Sequence, residues 1–518
     1  MRELTTRLPQ FSVNGCLFHA GCGQRRKTVL PGRQLYGTFG LNLWMKKAAI
    51  LGSGPNGLSA AITLARAGVE VQVYEARPSV GGAASTAEIT LAGYHHDLGS
   101  SIYPMAVASP FFQSLPLAEF GLTWIEPAAP LAHPLDDGTA VMLEHSLAAT
   151  ATALGQDSKA YTRVLQPLVE GWTQLCPEIL GPVLHWPQHP LLLAKFGTFA
   201  APPANMLAKS LFGGPRARAL FAGLAAHSVL PLESAFSSAV GWVLAAAAHT
   251  TGWPIAAGGA QALSDALAGY LKSLGGKIET SHPVESLSEL GEVDAILCDI
   301  SPKQLLRLGV RDFDPSYNLA LRSFVYGPGA YKVDWALSQP IPWKANDCSR
   351  AATVHLGGTL EEIAASERAA WKGKAAERPF VLVTQPSLFD SSRAPDGKHT
   401  AWGYCHVPNG FTGDLTQAIE AQLERFAPGF RDCVLGRRAT TPANFEIWNQ
   451  NLVGGDLSGG AMTLKQLIFR PTSSLYRTAR KGLYLCSAST PPGGGVHGMC
   501  GYHAAKAVLS DLNVPVRK

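Results

Sequence analysis

Apolar and polar positions recur with two different periods along the chain, and the changes of period mark its elements. Residues 47–51, Lys-Ala-Ala-Ile-Leu, read as a short buried strand. A glycine-rich turn, Gly52-Ser-Gly54-Pro55-Asn56-Gly57, follows at once, and residues 58–67 predict a helix rich in Ala and Leu. Gly68 ends that helix. Val69-Glu-Val71-Gln-Val73-Tyr then alternates with period two, which predicts a second strand with Glu75 at its tip. The three pieces make one β-α-β unit of about 30 residues.

Similar signals return far downstream. Residues 262–274 predict a helix, Gly275-Gly276 a turn, and residues 277–284 a strand. Residues 294–298, Asp-Ala-Ile-Leu-Cys, read as another short strand. Near the end, residues 482–490 form a strand running into a turn, and 491–502 a glycine loop. Ala504, Ala505, Val508, Leu509 and Leu512 then fall on one helical face. Strands alternating with helices predict an α/β fold.

A length of 518 residues predicts two or three domains, or one large sheet domain carrying insertions. With 46% hydrophobic and 16% charged residues the chain can bury a large core, which excludes a disordered protein. The net charge of +5 lies wholly in residues 1–44, where Arg2, Arg7, Arg25, Arg26, Lys27 and Arg33 face only Glu3. The rest is neutral and gives no electrostatic case for nucleic acid. Residues 1–44 show no helical or strand period. Two readings stand: a mitochondrial-type leader, or upstream sequence ahead of a start at Met45. Either way this extension should not join the fold. Nine cysteines without any Cys-x-x-Cys predict neither a disulfide scaffold nor a zinc module, and no metal is expected. The charge-free stretch 234–264 has an apolar centre too short to cross a bilayer.

The first glycine motif has a specific chemistry. Gly52 permits the tight turn, Gly54 lets backbone approach a pyrophosphate, and Gly57 lets helix pack on strand. The helix that follows offers free N–H groups and a positive dipole end to phosphates at its N-terminus. Glu75 can accept hydrogen bonds from both ribose hydroxyls, and its charge would repel a 2′-phosphate. A dinucleotide site follows.

Arg77-Pro-Ser-Val-Gly81-Gly82-Ala83 resembles the Arg-x-x-x-Gly-Gly extension of the glutathione-reductase-type FAD superfamily. Together with Gly454-Gly455-Asp456, Gly459-Gly460, Phe469-Arg470-Pro471, Tyr476-Arg477-Thr478 and residues 482–502, the chain from about 45 to 515 resembles the bacterial-type phytoene desaturase superfamily of FAD oxidoreductases. The resemblance implies an α/β fold: a discontinuous FAD-binding Rossmann domain of glutathione-reductase type with an inserted α+β substrate domain. It places FAD-binding parts at 45–105, 255–310 and 470–518, and substrate parts at 106–254 and 311–469. It implies FAD contacts from Gly52, Gly54, Pro55, Asn56, Gly57, Glu75, Ala76, Arg77, Gly81, Gly82 and Ala83. Further contacts are implied from Ser100, from Val284 beside the adenine, and from Ser487, Ala488, Gly495, Val496, Gly498 and Met499 around the flavin. True disulfide reductases carry a Cys pair soon after the first glycine motif and a second Gly-x-Gly-x-x-Gly. Neither is present, so FAD is the one tightly held dinucleotide expected.

Side chains for catalysis are less determined. His497, inside the flavin loop, could act as acid or base, or be a hydrogen-bonded loop histidine. Cys500 at a helix start could have a lowered pKa or simply pack. His95, His96 and Asp97 read as structural partners before Gly99-Ser100-Ser101, and Asp456 as a turn residue. Residues 106–254 carry 15 charged side chains, about 10%. That scarcity predicts either an apolar substrate chamber or an ordinary core. The reading that follows is an FAD oxidoreductase acting on C–C bonds of an apolar, isoprenoid- or lipid-like substrate. Its acceptor would be oxygen, a quinone or NAD(P). Flavin amine oxidase and a non-catalytic regulatory flavoprotein of mitochondrial-regulator type are the alternatives. Peripheral membrane contact and a homo-oligomer stay open. The compartment would be cytoplasmic in a bacterium, or the mitochondrial matrix if residues 1–44 are a eukaryotic leader.

Overall fold

Three remote stretches of chain supply one parallel sheet. Its order is Leu483–Leu485, Ala295–Cys298, Lys47–Leu51, Glu70–Tyr74, Lys277–Glu279, and every pairing is parallel. The computed structural model describes residues 46–308 and 313–515. The leader and upstream-start readings of residues 1–44 lie outside the described residues.

Both faces of this sheet are covered, which is why three of its strands, Lys47–Leu51, Ala295–Cys298 and Leu483–Leu485, read as nearly continuous apolar runs, while Glu70–Tyr74 and Lys277–Glu279 alternate. On one face Ile50, Val71, Val73 and Leu297 pack beneath the helices Pro55–Arg66, Ala260–Ser273 and Met499–Asp511. On the other, Ala49, Leu51, Ile296 and Leu485 pack against Leu305, Tyr317 and Leu321. The first helix begins at Pro55, three residues before the predicted start. Gly54 in an extended conformation (φ −65°, ψ 170°) leads into proline at the first helical position, whose fixed φ suits it.

A second, seven-stranded sheet draws on residues 129–143 and 329–440. Its order is Val434–Thr440, Gly329–Leu337, His399–Val407, Val381–Thr384, Ala351–Leu356, Ala129–Pro134, Ala140–Leu143. Period-two alternation gives it two unlike faces. Tyr331, Val333, Trp335, Cys405, Val383 and Leu356 pack against Ile419, Leu423 and Phe426 of the helix Thr416–Phe426. The opposite face carries Lys332, Asp334, Trp402, Tyr404, His406 and His355. Register pairs Lys332 with Tyr404, Tyr404 with Leu382, and Leu382 with His355.

Helices between 158 and 248 complete this part. The charge-free helix Ser237–Ala248 is interior: Trp242 is fully buried and stacks on Phe221 at 4.2 Å. Among the described residues no helix is long and apolar enough to cross a membrane.

Candidate active site

The two glycine motifs of the first β-α-β unit meet as bare backbone. Gly81 N–H donates to the Ser53 carbonyl (3.0 Å), and a Cβ on Gly82 would stand 3.2 Å from the Gly54 Cα. A Cβ on Gly54 would stand 2.8 Å from Asp299 Oδ2, and one on Gly57 would overlap the Gly52 carbonyl. Gly52 itself adopts φ +96°, which side chains resist. Gly52, Gly54, Pro55, Gly82 and Ala83 remain partly exposed, so backbone and not packed side chain lines the crevice.

Glu75 is buried and works first on the protein itself. Its Oε2 accepts from the Ser53 amide (2.9 Å) and hydroxyl (2.6 Å), and its Oε1 from the Arg77 amide (2.9 Å). The expected ribose carboxylate therefore also fixes the glycine turn. A carboxylate has about four acceptor sites, which leaves room for a hydroxyl donor. Ala76 is exposed, and the Arg77 guanidinium lies 4.9 Å from the Trp448 ring centre. Ser281 and His282 donate backbone N–H groups to the carbonyls of Arg77 (2.8 Å) and Glu75 (2.9 Å). That brings the next residues, with Val284 half-buried, to the edge of the same sheet. Ser100 N–H donates to Ala83 O (3.1 Å).

The chain's tail closes on the first helix. Gly501 abuts the Asn56 carbonyl and Gly498 abuts Ser59 and Phe112 so closely that a Cβ on either would overlap them. The helix Met499–Asp511 starts after Gly498 at φ +68°, and of its first amides only that of Met499 meets a side chain, His497 Nδ1. Its end of the helix dipole is left to favour negative charge. Asn56 Oδ1 is buried without a partner. Gly495 is exposed, Val496 half-buried and Met499 buried. Ser487 donates to the Ile300 carbonyl (2.8 Å). The Ala488 carbonyl accepts from Arg470, whose buried guanidinium also reaches the carbonyls of Ser458 (2.9 Å) and Gly460 (3.1 Å). Arg470 thus ties three loops together. Asp456 accepts from the amides of Gly327 and Ser458, as a turn residue does.

The structure bears on two readings left open. His497 is engaged by its own loop: Nδ1 accepts from the Met499 amide (3.1 Å), and the His497 carbonyl accepts from Ser109 (2.7 Å). Burial pushes its ring down to about 4, against the opposing pull of the Gly494 and Gly493 carbonyls, so it is neutral at pH 7. Cys500 is no activated thiol. Burial pushes it up to about 12, and its S–H points at the carbonyls of Thr490 and Gly493.

Sequence reasoning missed Asp299. Its Oδ2 accepts from the Gly57 amide (2.8 Å) at the start of the first helix. Burial raises this carboxyl to about 7, with the Gly57 hydrogen bond pulling down and Glu75 pushing up. It also missed a buried ionic group under the Gly99–Ser101 segment. Lys332 Nζ donates to the Asp97 carbonyl (2.7 Å) and to Asp334 Oδ1 (2.6 Å). Asp97 pairs with Arg393 (2.8 Å), and its carboxylate also accepts from Thr86, Ala260 N–H and Ser101. Burial would raise the Asp97 carboxyl, but Arg393 and these hydrogen bonds hold it below the usual range. His96, as expected of a structural partner, bonds Thr90 (2.8 Å) and is pushed by burial to about 3. One signal was available: Lys332 and Asp334 lie two apart in a strand whose nine residues are all buried.

A bare-backbone cradle, a second helix start seated on the first helix, and the unpartnered Asn56 oxygen fit a dinucleotide bound along the crevice. Residues 50–115 match the NAD(P)-binding Rossmann-like domain. The chain is 27% identical to rat (Rattus norvegicus) pyridine nucleotide-disulfide oxidoreductase domain-containing protein 2, over 90% of this chain and 93% of that one. It is 30% identical to the neurosporene-forming phytoene desaturase of Rhodobacter capsulatus over 141 residues, 25% of this chain and 26% of that one. The chain is similar to the phytoene desaturase-like superfamily of FAD oxidoreductases. FAD is accordingly its cofactor. Putrescine oxidase in complex with putrescine shares the fold, with a TM-score of 0.58 and 18% identity over 91% of this chain and 99% of that one. The protein is an enzyme of oxidation and reduction. The cysteine chemistry that the rat relative's name suggests has no counterpart among the described residues, where all seven cysteines are free and buried.

Proposed function

We propose that the protein oxidises or reduces C–C bonds of an apolar, isoprenoid- or lipid-like substrate by hydride exchange with FAD. The observation that carries this reading is the seating of the tail's glycine loop on the first helix, Gly501 against Asn56. In this reading Gly52, Gly54, Gly57, Gly81 and Gly82 cradle the pyrophosphate and Glu75 meets the ribose. Val284 borders the adenine, and Ser487, Ala488, Gly495, Val496, Gly498 and Met499 surround the flavin. Bound FAD supplies the hydride acceptor or donor.

The protein's own work is to bind, orient and keep water out. The N-terminus of Met499–Asp511 favours negative charge beside it, an effect of about 1–2 kcal/mol when partly buried. His497, neutral and held by its loop, fixes the turn and carries no proton step here. The chain divides in function between the parallel sheet, which holds the cofactor, and the seven-stranded sheet with its helices, which receives the substrate. Purified protein should be yellow, and its flavin should bleach anaerobically with an isoprenoid or lipid substrate. A colourless protein that cannot be reconstituted with FAD rejects the reading.

The fold shared with putrescine oxidase supports a second reading, oxidation of a C–N bond with release of peroxide. Peroxide formed across a panel of amines, with no turnover of isoprenoids, selects it.

A further inference from the structure

The inner face of the seven-stranded sheet is the most unusual wall in the molecule. The sheet's other face is apolar, but this one buries polar side chains. His355 and His133 lie on neighbouring strands with ring centres 6.4 Å apart. His227, just past the helix Pro215–Ala226, places Nε2 2.9 Å from His355 Nε2. His406 Nδ1 lies 2.7 Å from Glu367 Oε2, which comes from the helix Leu360–Trp371. The Tyr404 ring packs 5.6 Å from His406.

Hydrogen bonding on this wall is incomplete. His133 Nδ1, His355 Nδ1 and Glu367 Oε1 are buried and have no partner, although all three residues are fully buried. His133 Nε2 bonds the Gly358 carbonyl (2.8 Å). A carbonyl only accepts, so the proton of neutral His133 sits on Nε2 and Nδ1 is a bare acceptor. His227 and His355 share one proton between their facing nitrogens. Tyr404 Oη makes no hydrogen bond among the described residues. Both orphaned Nδ1 atoms turn toward Gly223, where a Cβ would be 3.4 Å from the His133 nitrogen and pressed against that of His355.

Polar groups buried without partners are costly, and Val or Leu would pack this wall more cheaply. The pattern therefore asks for a ligand that supplies the missing bonds. The neighbouring ions already pair off, Lys332 with Asp334 and Arg393 with Asp97, and Glu367 is engaged by His406. An ionised headgroup would find no free counter-charge here, whereas a neutral oxygen would find both donors and acceptors.

We propose that Tyr404 and His227, backed by His355 and the His406–Glu367 pair, anchor one hydroxyl or carbonyl oxygen carried by an otherwise apolar substrate. This rests on the reading of that side of the molecule as the substrate side. It deepens that reading by assigning the substrate a polar end.

The test is calorimetric titration of the purified full chain with FAD bound. The probes are geranylgeraniol and the hydrocarbon of the same skeleton, each delivered in detergent. The alcohol should bind at least about 10-fold more tightly. Tyr404→Phe and His227→Gln should each remove most of that preference while leaving hydrocarbon affinity unchanged. Equal affinities in the wild type, no binding of either probe, or a preference that survives both substitutions overturns the proposal. The wild-type comparison decides even if a variant fails to fold. Flavin bleaching is read separately: a bound alcohol that never bleaches the flavin defeats the hydride-exchange reading but leaves the anchor standing.

Discussion

Gly501 and Asn56, 445 positions apart in sequence, touch backbone to backbone, because any side chain at 501 would overlap the Asn56 carbonyl. This contact joins the last helix to the first and fixes where the tail's glycine loop lies.

Gly501→Val should force the two helices apart. Overpacking of this kind costs about 1–3 kcal/mol, and more where backbone is the obstacle. A lower melting temperature together with loss of flavin absorbance is the expected result. Unchanged stability and full flavin content would show that the helices do not meet there.

Lys332→Met should be among the most destabilising single changes in the chain. It leaves the Asp334 carboxylate and the Asp97 carbonyl without their buried cation. Breaking one side of such a pair costs about 3–5 kcal/mol. Denaturant unfolding measures it, and Lys332→Met with Asp334→Leu should recover part of the loss.

How much of this was legible depended on how local each signal was. The β-α-β unit and its glycines lie within 36 residues, so turn chemistry and period announced them, and the resemblance supplied the tail. Lys332 and the Asp97 carbonyl are 235 positions apart. Alternation flags the face a lysine shares but not the partner that neutralises it. Glu75 was expected to meet ribose hydroxyls, and nothing in sequence says that the Ser53 and Arg77 amides also bond to it. The polar wall escaped for a different reason. A count of charged residues in 106–254 passes over neutral histidines, and His133 and His227 meet His355 only when the sheet forms.

Asp299 gives stability a specific pH dependence. Its folded value is raised by burial from 3.8 to about 7. Its contribution is therefore whole below about pH 4 and is lost as pH rises through about 7. Asp299→Asn should remove up to about 1.4 kcal/mol per pH unit of that decline. It should also retain FAD better at pH 8, since an ionised carboxylate beside the Gly54 turn repels a pyrophosphate. Parallel pH profiles of stability and FAD release in the two proteins would contradict this.

His497 acts in the opposite sense. Burial lowers its ring from 6.5 to about 4, so its contribution is whole above 6.5 and is lost as pH falls through about 4. The stability difference between wild type and His497→Gln should therefore narrow on acidification from pH 6.5 to 4. Turnover at neutral pH should fall only as far as flavin content falls. A separate loss of turnover in fully loaded His497→Gln protein would assign the ring a proton-transfer role.

The most direct measurement is the FAD content of the purified chain beside that of Gly54→Glu, read from flavin absorbance after denaturation and normalised to protein. One FAD per chain in the wild type, and almost none in a folded Gly54→Glu protein, is the predicted result. A wild-type protein that stays colourless after incubation with FAD, or a Gly54→Glu protein that holds its full complement, would contradict the assignment of this crevice.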